Sequence, residues 1–178
     1  MKSYTKITAI STFGTNGKSE FYNSNGSLIY FSDLKKSMDV SCAKLFNKEK
    51  ILISCVKYID SRNILATKYN LQVNGKEFLF QDIEGNGNLR CKDNNFYLKR
   101  GFFDKGFTLY SKEEKIMKVG THNIFRDYLK AKYTIEKKKK KSEGEINFLI
   151  SVCLIYFILV YETATYSQGK NMGNFWLK

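Results

Sequence analysis

The chain has 178 residues, of which 43% are hydrophobic and 15% aromatic, which excludes an intrinsically disordered protein because disordered chains lack core-forming side chains. This length suits a single domain with a sizeable core. Lys and Arg number 30 against 17 Asp and Glu, and the formal net charge of +13 favours an anionic partner, either a lipid surface or nucleic acid.

The N-terminus and the cysteines indicate a cytoplasmic protein. The first residues lack the continuous apolar segment and small-residue cleavage site of a secretory signal, so we expect the chain to start in its first strand. Cys42, Cys55, Cys91 and Cys153 form no C-x-x-C pair and lie among apolar neighbours, which predicts reduced, buried thiols. No charged residue directly flanks Cys55, so we interpret it as core rather than as a nucleophile.

Short segments rich in Ile, Val, Tyr and Phe follow one another from residue 4 to about residue 135. Turn clusters separate them about every 8 to 12 residues, the pattern of an antiparallel sheet or barrel. The clearest hairpin alternates apolar and polar positions on each side of Asn74-Gly75, which predicts a type I′ turn. Asn25-Gly26 predicts a similar hairpin between two aromatic strands.

The last segment of this body, residues 129–136, alternates strictly, which predicts one buried and one solvated face. No stretch before residue 140 keeps a helical period. We therefore predict an essentially all-β body with at most one short helix, near residues 32–39 or residues 121–129.

A helix is predicted after the charged linker that follows this body. Ser142 and Glu145 match the S-x-x-E capping box that opens a helix. From residue 146 to residue 161 only Asn147 and Ser151 are polar. A helix that is apolar nearly all round must be enclosed by lipid or by protein.

Two interpretations of this helix agree with the residues. In the first, the lysines at residues 137–141 mark the cytoplasmic end of a transmembrane helix, although its apolar part rises only about 24 Å where roughly 20 residues are needed to cross a bilayer. In the second, which we favour, about ten strands close into a barrel wide enough to contain the helix. This predicts one domain of residues 1–164 with a central helix at about residues 143–163, and a polar tail at residues 165–178.

The order of an all-β body and a terminal apolar helix resembles the tubby C-terminal-like fold, in the branch of the LURP-one-related and phospholipid scramblase-like proteins. Two segments carry the resemblance, "YNLQVNGKEFLFQDIEGNGNL" at residues 69–89 and "FRDYLKAKY" at residues 125–133. The resemblance extends over about residues 4–162 and implies a mainly β fold, a closed antiparallel barrel of about twelve strands around the C-terminal helix. The dense lysine run and the residues after the helix depart from that pattern, and both leave the membrane-anchor interpretation open.

The sequence contains no constellation typical of catalysis or metal binding. His122 is the one histidine and has no cysteine near it, so we interpret it as a turn residue rather than a zinc ligand or a triad member. Residues 84–88 lack the Lys-Ser/Thr of a phosphate loop and are predicted to be a hairpin turn, and no segment has calcium-loop spacing. We predict no enzymatic activity, no cofactor and no metal.

The strongest charge feature is the stretch of residues 126–141, which carries eight basic and two acidic residues. It predicts a non-enzymatic binding module, cytoplasmic and peripheral at the membrane, that contacts anionic phospholipid headgroups, although a solvated linker would have the same composition. The lysines assigned to this contact are Lys130, Lys132, Lys137, Lys138, Lys139, Lys140 and Lys141.

Two other functions stay open from the sequence. One is a membrane-anchored protein with a single C-terminal transmembrane helix and a cytoplasmic β-domain. The other is a nucleic-acid-binding protein that stacks bases on aromatic and basic segments such as residues 94–103. The oligomeric state is not predicted.

Overall fold

The structure is a computed structural model, and in the C-terminal helix it describes side chains as far as Leu159. The residues that it describes are 4–12, 16–36, 40–59, 68–82, 88–91, 94–101, 106–122, 130–138 and 142–173.

Twelve antiparallel strands form a closed barrel in which each strand pairs with its neighbours in chain order. The first and last strands pair from Tyr4↔Lys138 to Thr12↔Lys130, and this seam closes the sheet. The predicted mainly β fold and closed barrel are confirmed. The strands are β1 (Tyr4–Thr12), β2 (Asn16–Tyr22), β3 (Leu28–Lys36), β4 (Val40–Asn47), β5 (Leu52–Ile59), β6 (Lys68–Val73), β7 (Lys76–Asp82), β8 (Leu89–Cys91), β9 (Phe96–Arg100), β10 (Gly106–Ser111), β11 (Glu114–His122) and β12 (Lys130–Lys138).

The hairpin predicted at Asn74-Gly75 is confirmed, since both residues have positive φ, 53° and 69°, as a type I′ turn requires. The β2–β3 hairpin also forms, but with a longer loop. Gly26 alone takes a positive φ of 78°, while the Asn23 side-chain oxygen accepts a hydrogen bond from the Asn25 backbone N–H at 3.0 Å.

Neither segment proposed for a short helix is helical where the structure describes it. Residues 32–36 belong to β3 and residues 121–122 to β11, because their backbones continue the antiparallel pairing of the wall, as in Ser19↔Ser32 and His122↔Lys132. The other residues of both segments lie outside the described part of the chain.

The helix α1 (Glu143–Gly173) passes through the barrel. The ring centroids of Phe148 and Phe78 on β7 are 4.9 Å apart, and those of Phe157 and Tyr133 on β12 are 4.5 Å apart. Every side chain from Asn147 to Ile158 is buried. Enclosure by the barrel, the favoured interpretation, is confirmed, and it explains why this helix is apolar on all sides.

The two polar residues inside the helix find partners on the barrel wall. The Tyr30 hydroxyl donates to Asn147 Oδ1 at 2.8 Å, and Ser151 Oγ lies 2.6 Å from Ser54 Oγ. Both contacts are buried. They satisfy polar groups that would otherwise be desolvated without compensation.

The helix extends past the predicted end near residue 163, through Gly173. The chain contains no proline, so no ring stops the helix, and a glycine at its end is the usual terminator. Residues 165–173, predicted as part of a tail, are therefore helical. Among the residues that the structure describes, none of the helices combines the length and apolar character needed to cross a membrane.

Candidate functional site

The barrel end at which α1 begins, called the proximal end, is built from the hairpin turns that precede β3, β5, β7, β9 and β11 together with the end of β12. Asn74 in one of these turns donates a hydrogen bond from Nδ2 to the Gly144 carbonyl at 2.7 Å. This bond ties the start of the helix to the wall. The opposite end of the barrel is called the distal end.

The helix start carries the predicted capping box. The Ser142 backbone N–H donates to Glu145 Oε2 at 2.9 Å, and the Glu145 N–H donates to Ser142 Oγ at 3.3 Å. The reciprocal pair occupies two of the N–H groups that a helix N-terminus leaves without helical partners. The capping prediction is confirmed.

A pocket of about 570 Å³ opens at the proximal end beside the turns before β3 and β5. Among the described residues, its charged lining consists of three lysines and two glutamates, Lys6, Lys48, Lys137, Glu49 and Glu143. The pocket therefore presents both signs of charge.

Tyr30 lines the same pocket. Burial, with a smaller contribution from the negative charge of Glu143, raises the pKa of the Tyr30 hydroxyl above its ordinary value. The hydroxyl stays protonated at neutral pH, as its donated hydrogen bond to Asn147 requires.

The predicted lipid-binding lysines do not form one patch. Lys130 starts β12 near the distal end and Lys138 ends it at the proximal end, a separation of about 26 Å along the strand. Lys132 is exposed on the outer wall, opposite His122 of β11. Lys139, Lys140 and Lys141 lie outside the described residues.

Lys137 faces the inside of the barrel and is only 6% exposed. It has the same parity along β12 as Tyr133 and Ile135, which are also buried. Lys137 therefore does not share the outer face with Lys132, as one lipid contact through both lysines would require, because successive side chains of a strand point to opposite faces.

The turn before β5 carries features that the sequence reasoning missed. Ile51 and Leu52 are 60% and 52% exposed, and Leu28 at the start of β3 is 37% exposed. Lys48 and Lys50 are exposed in the same turn as Ile51. The sequence does contain a signal for this exposed pair, because Ile51 and Leu52 directly follow the polar cluster Asn-Lys-Glu-Lys. Such a cluster is typical of a turn, and residues at the tip of a turn lie on the surface.

The cysteine prediction holds for two residues and is wrong for two. Cys91 and Cys153 are buried at 2% and 0% exposure, as predicted. Cys42 and Cys55 are half-buried on the outer wall. Their segments look apolar in sequence, but the alternation of β4 and β5 turns both cysteines away from the core.

The other sequence predictions about sites concern His122, metal binding and the glycine-rich segment 84–88. His122 is the last residue of β11 rather than a turn residue, because it pairs with Lys132 across the sheet. Within the described ranges no three His, Cys, Asp or Glu residues come together as a metal site. The glycine-rich segment 84–88 is described only at Asn88, and β7 and β8 on either side of it pair antiparallel.

Comparison with known proteins gives one structural likeness. No protein-family model and no curated protein matches the chain. An X-ray structure of a protein from Arabidopsis thaliana is similar with a TM-score of 0.45 and 12% identity, over 82% of this chain and 88% of that chain. The closed barrel of this chain rests on its own strand pairing, and membership of the tubby C-terminal-like family stays a prediction.

Proposed function

We propose that this protein is a non-enzymatic binding module that docks through its proximal end on membrane surfaces rich in anionic phospholipids. Peripheral membrane proteins combine apolar side chains that enter the headgroup region with lysines that attract anionic lipids. The observation that carries the proposal is the exposed pair Ile51 and Leu52, beside Lys48 and Lys50 in one turn.

The position of this turn supports docking by the end of the barrel rather than by its side. The turn lies at the rim of the proximal pocket, to which Lys48 also contributes. β12 delivers Lys138 to the same end. A flat bilayer that meets this end would contact the aliphatic pair together with Lys48 and Lys50.

The charge of the whole chain acts in the same direction. A formal charge of +13 draws the protein toward an anionic surface from beyond contact distance, and salt weakens this attraction. The Lys48–Glu49 pair at 3.5 Å involves side chains that are 68% and 53% exposed, so solvent screens it and Lys48 can exchange this partner for a phosphate.

The test is flotation of the full chain with phosphatidylglycerol vesicles, with phosphatidylcholine vesicles as the reference. We expect binding to the anionic vesicles that weakens as salt is raised. The double variant Lys48→Gln/Lys50→Gln should lose roughly 30-fold in partitioning, because each lysine contributes about 1 kcal/mol at an anionic surface. The matched control is Lys99→Gln/Lys118→Gln, which removes two exposed wall lysines and should change binding much less.

A second pair of variants tests the apolar part of the contact. Ile51→Ser/Leu52→Ser should reduce binding even at low salt, whereas Leu79→Ser, which removes a 40% exposed leucine of the outer wall, should not. Absence of binding to anionic vesicles at low salt would refute the proposal. If the turn variants and the wall variants lose the same amount of vesicle binding, the turn before β5 is not the membrane contact.

A gel shift with short DNA and RNA across a salt series tests the nucleic-acid alternative. A steep salt slope for nucleic acid, together with no vesicle binding, would replace the lipid proposal by that alternative.

A further inference from the structure

Two thiols meet on the outer wall of the barrel. Cys42 on β4 and Cys55 on β5 are both half-buried, and their sulfur atoms lie 3.3 Å apart. The β4–β5 register pairs Cys42 with Lys57 and Cys55 with Lys44. The cysteines are thus diagonal neighbours on one face of the sheet, close enough for their side chains to interact.

Three lysines surround this pair. Lys57 stands opposite Cys42 on β5, Lys35 stands opposite Cys42 on β3, and Lys44 stands opposite Cys55. All three lysines are exposed. A positively charged, partly exposed setting favours the thiolate and distinguishes a reactive cysteine from an inert buried one.

The pKa values of the two thiols shift in opposite directions, which suits Cys42 to be the nucleophile and Cys55 the hydrogen-bond donor. The hydrogen bond from Cys55 lowers the pKa of Cys42 to about 6, with smaller help from the positive charges of Lys44 and Lys57. The same hydrogen bond, followed by burial, raises the pKa of Cys55. A hydrogen bond from the Cys55 thiol favours the Cys42 thiolate, the form of cysteine that attacks disulfides.

Oxidation requires the two sulfur atoms, now 3.3 Å apart, to move into bonding distance. A disulfide bond is about 2.05 Å long, so the sulfurs must approach by about 1.3 Å through side-chain rotation. The strands that carry them are already adjacent in the sheet. Diagonal neighbours have Cα atoms about 7–8 Å apart and a disulfide needs about 4.4–6.8 Å, so bond formation also draws the two backbones slightly closer without a change of register.

We propose that Cys42 and Cys55 form a reversible redox site that exchanges with an anionic low-molecular-weight disulfide of the glutathione class. The Cys42 thiolate attacks one sulfur of the oxidised small molecule, the S–S bond breaks, and one small-molecule thiolate leaves. Cys55 then loses its proton to solvent and attacks the Cys42 sulfur of the mixed disulfide, which expels the second thiolate. Two protein thiols are oxidised by two electrons, and the small-molecule disulfide is reduced to two thiols.

The lysine cluster selects the co-reactant. Glutathione carries carboxylates, and the three lysines attract an anion to the sulfur pair. Excess reduced thiol reverses the reaction, because the two exchange steps are the same in both directions.

The experiment incubates the full folded chain with oxidised and reduced glutathione at several ratios, quenches with N-ethylmaleimide and maps peptides by mass spectrometry. Trypsin releases Cys42 in residues 37–44 and Cys55 in residues 51–57. We expect these two peptides to be joined at oxidising ratios and separate at reducing ratios. Absence of the joined peptide at every ratio, with Cys42 still open to alkylation, would overturn the proposal.

Single variants test the order of steps. Cys55→Ser should retain one glutathione on Cys42, because the resolving thiol is gone, while Cys91→Ser should leave the joined peptide unchanged. Lys44→Gln/Lys57→Gln should slow the reaction with oxidised glutathione more than the reaction with an uncharged disulfide. A Cys55→Ser protein that collects no glutathione would contradict the proposal.

Wild-type protein supplies a readout that needs no variant. The rate of Cys42 alkylation by iodoacetamide should rise with pH and reach half its maximum near pH 6, the pKa of Cys42. A rate that rises only above pH 8, the range of an ordinary thiol, would remove the activated nucleophile on which the exchange depends.

Discussion

At the scale of single residues, two buried tyrosines have opposite hydrogen-bond situations. The Tyr30 hydroxyl donates to Asn147 Oδ1 at 2.8 Å. The Tyr133 side chain is fully buried, and its hydroxyl has no hydrogen-bond partner within the part of the chain that the structure describes. A buried polar group without a partner costs about 1–3 kcal/mol of stability.

Replacing each of these tyrosines by phenylalanine should therefore change the free energy of unfolding in opposite directions. Tyr133→Phe is expected to raise the free energy of unfolding by about 1 kcal/mol, because it removes the uncompensated hydroxyl. Tyr30→Phe is expected to lower it by about 1–2 kcal/mol, because Asn147 loses its donor. Urea unfolding of both variants beside the parent measures the two changes, and a shared sign would contradict this account.

Tyr133 also predicts how stability depends on alkaline pH. Burial, and to a smaller extent Tyr156, raises the pKa of Tyr133 above the ordinary value of 10.0. Above pH 10 the unfolded chain loses this proton while the folded chain keeps it, so stability falls as pH rises. The slope contributed by this one group approaches about 1.4 kcal/mol per pH unit, and Tyr133→Phe should remove it. An unchanged alkaline slope in the variant would show that other groups cause the loss.

At the scale of elements, α1 serves as the core against which the barrel packs. Its aromatic side chains contact different parts of the wall, with Phe157 near Phe21 on β2 and Tyr156 near Phe107 on β10. Because the wall surrounds the helix, each of its sides is buried. Any large-to-small change along its buried length leaves a cavity that the closed sheet cannot collapse to fill.

Two leucine substitutions compare the packing around α1 with the packing of the outer wall. Leu154→Ala, on the buried part of α1, should cost about 2–5 kcal/mol of unfolding free energy through lost burial and the cavity. Leu79→Ala, at a leucine that is 40% exposed on β7, should change it by about 0.5 kcal/mol or less. Denaturant unfolding measures both variants, and similar losses would mean that the helix is not packed more tightly than the outer wall.

At the scale of the whole molecule, local signals predicted much of the fold. Asn74-Gly75 specified its turn, Ser142 and Glu145 specified the helix start, and the apolar run indicated enclosure, because each signal is contained in neighbouring residues. The β1–β12 seam joins residues more than a hundred positions apart, and nothing local encodes its register.

The candidate sites were harder to predict for the same reason. The inward direction of Lys137 follows from the parity of Tyr133 and Ile135, but a run of lysines conceals that alternation. The lysines opposite Cys42 and Cys55 belong to neighbouring strands. Their charge effect on the thiols appears only once the strand register is known.

Removal of the helix tests whether the barrel depends on its filling. Each large apolar side chain contributes about 1.5–3 kcal/mol when buried, and the buried side chains from Phe148 to Ile158 together contribute at least as much as the 5–15 kcal/mol net stability of most domains. A chain that stops at residue 141 should therefore show no cooperative thermal transition by circular dichroism and should bind a dye for exposed apolar surface. A chain that stops at residue 173, after the last helical residue, is the control and should melt like the parent. Cooperative melting of the shorter chain at the parental temperature would mean that the strands alone form the stable unit.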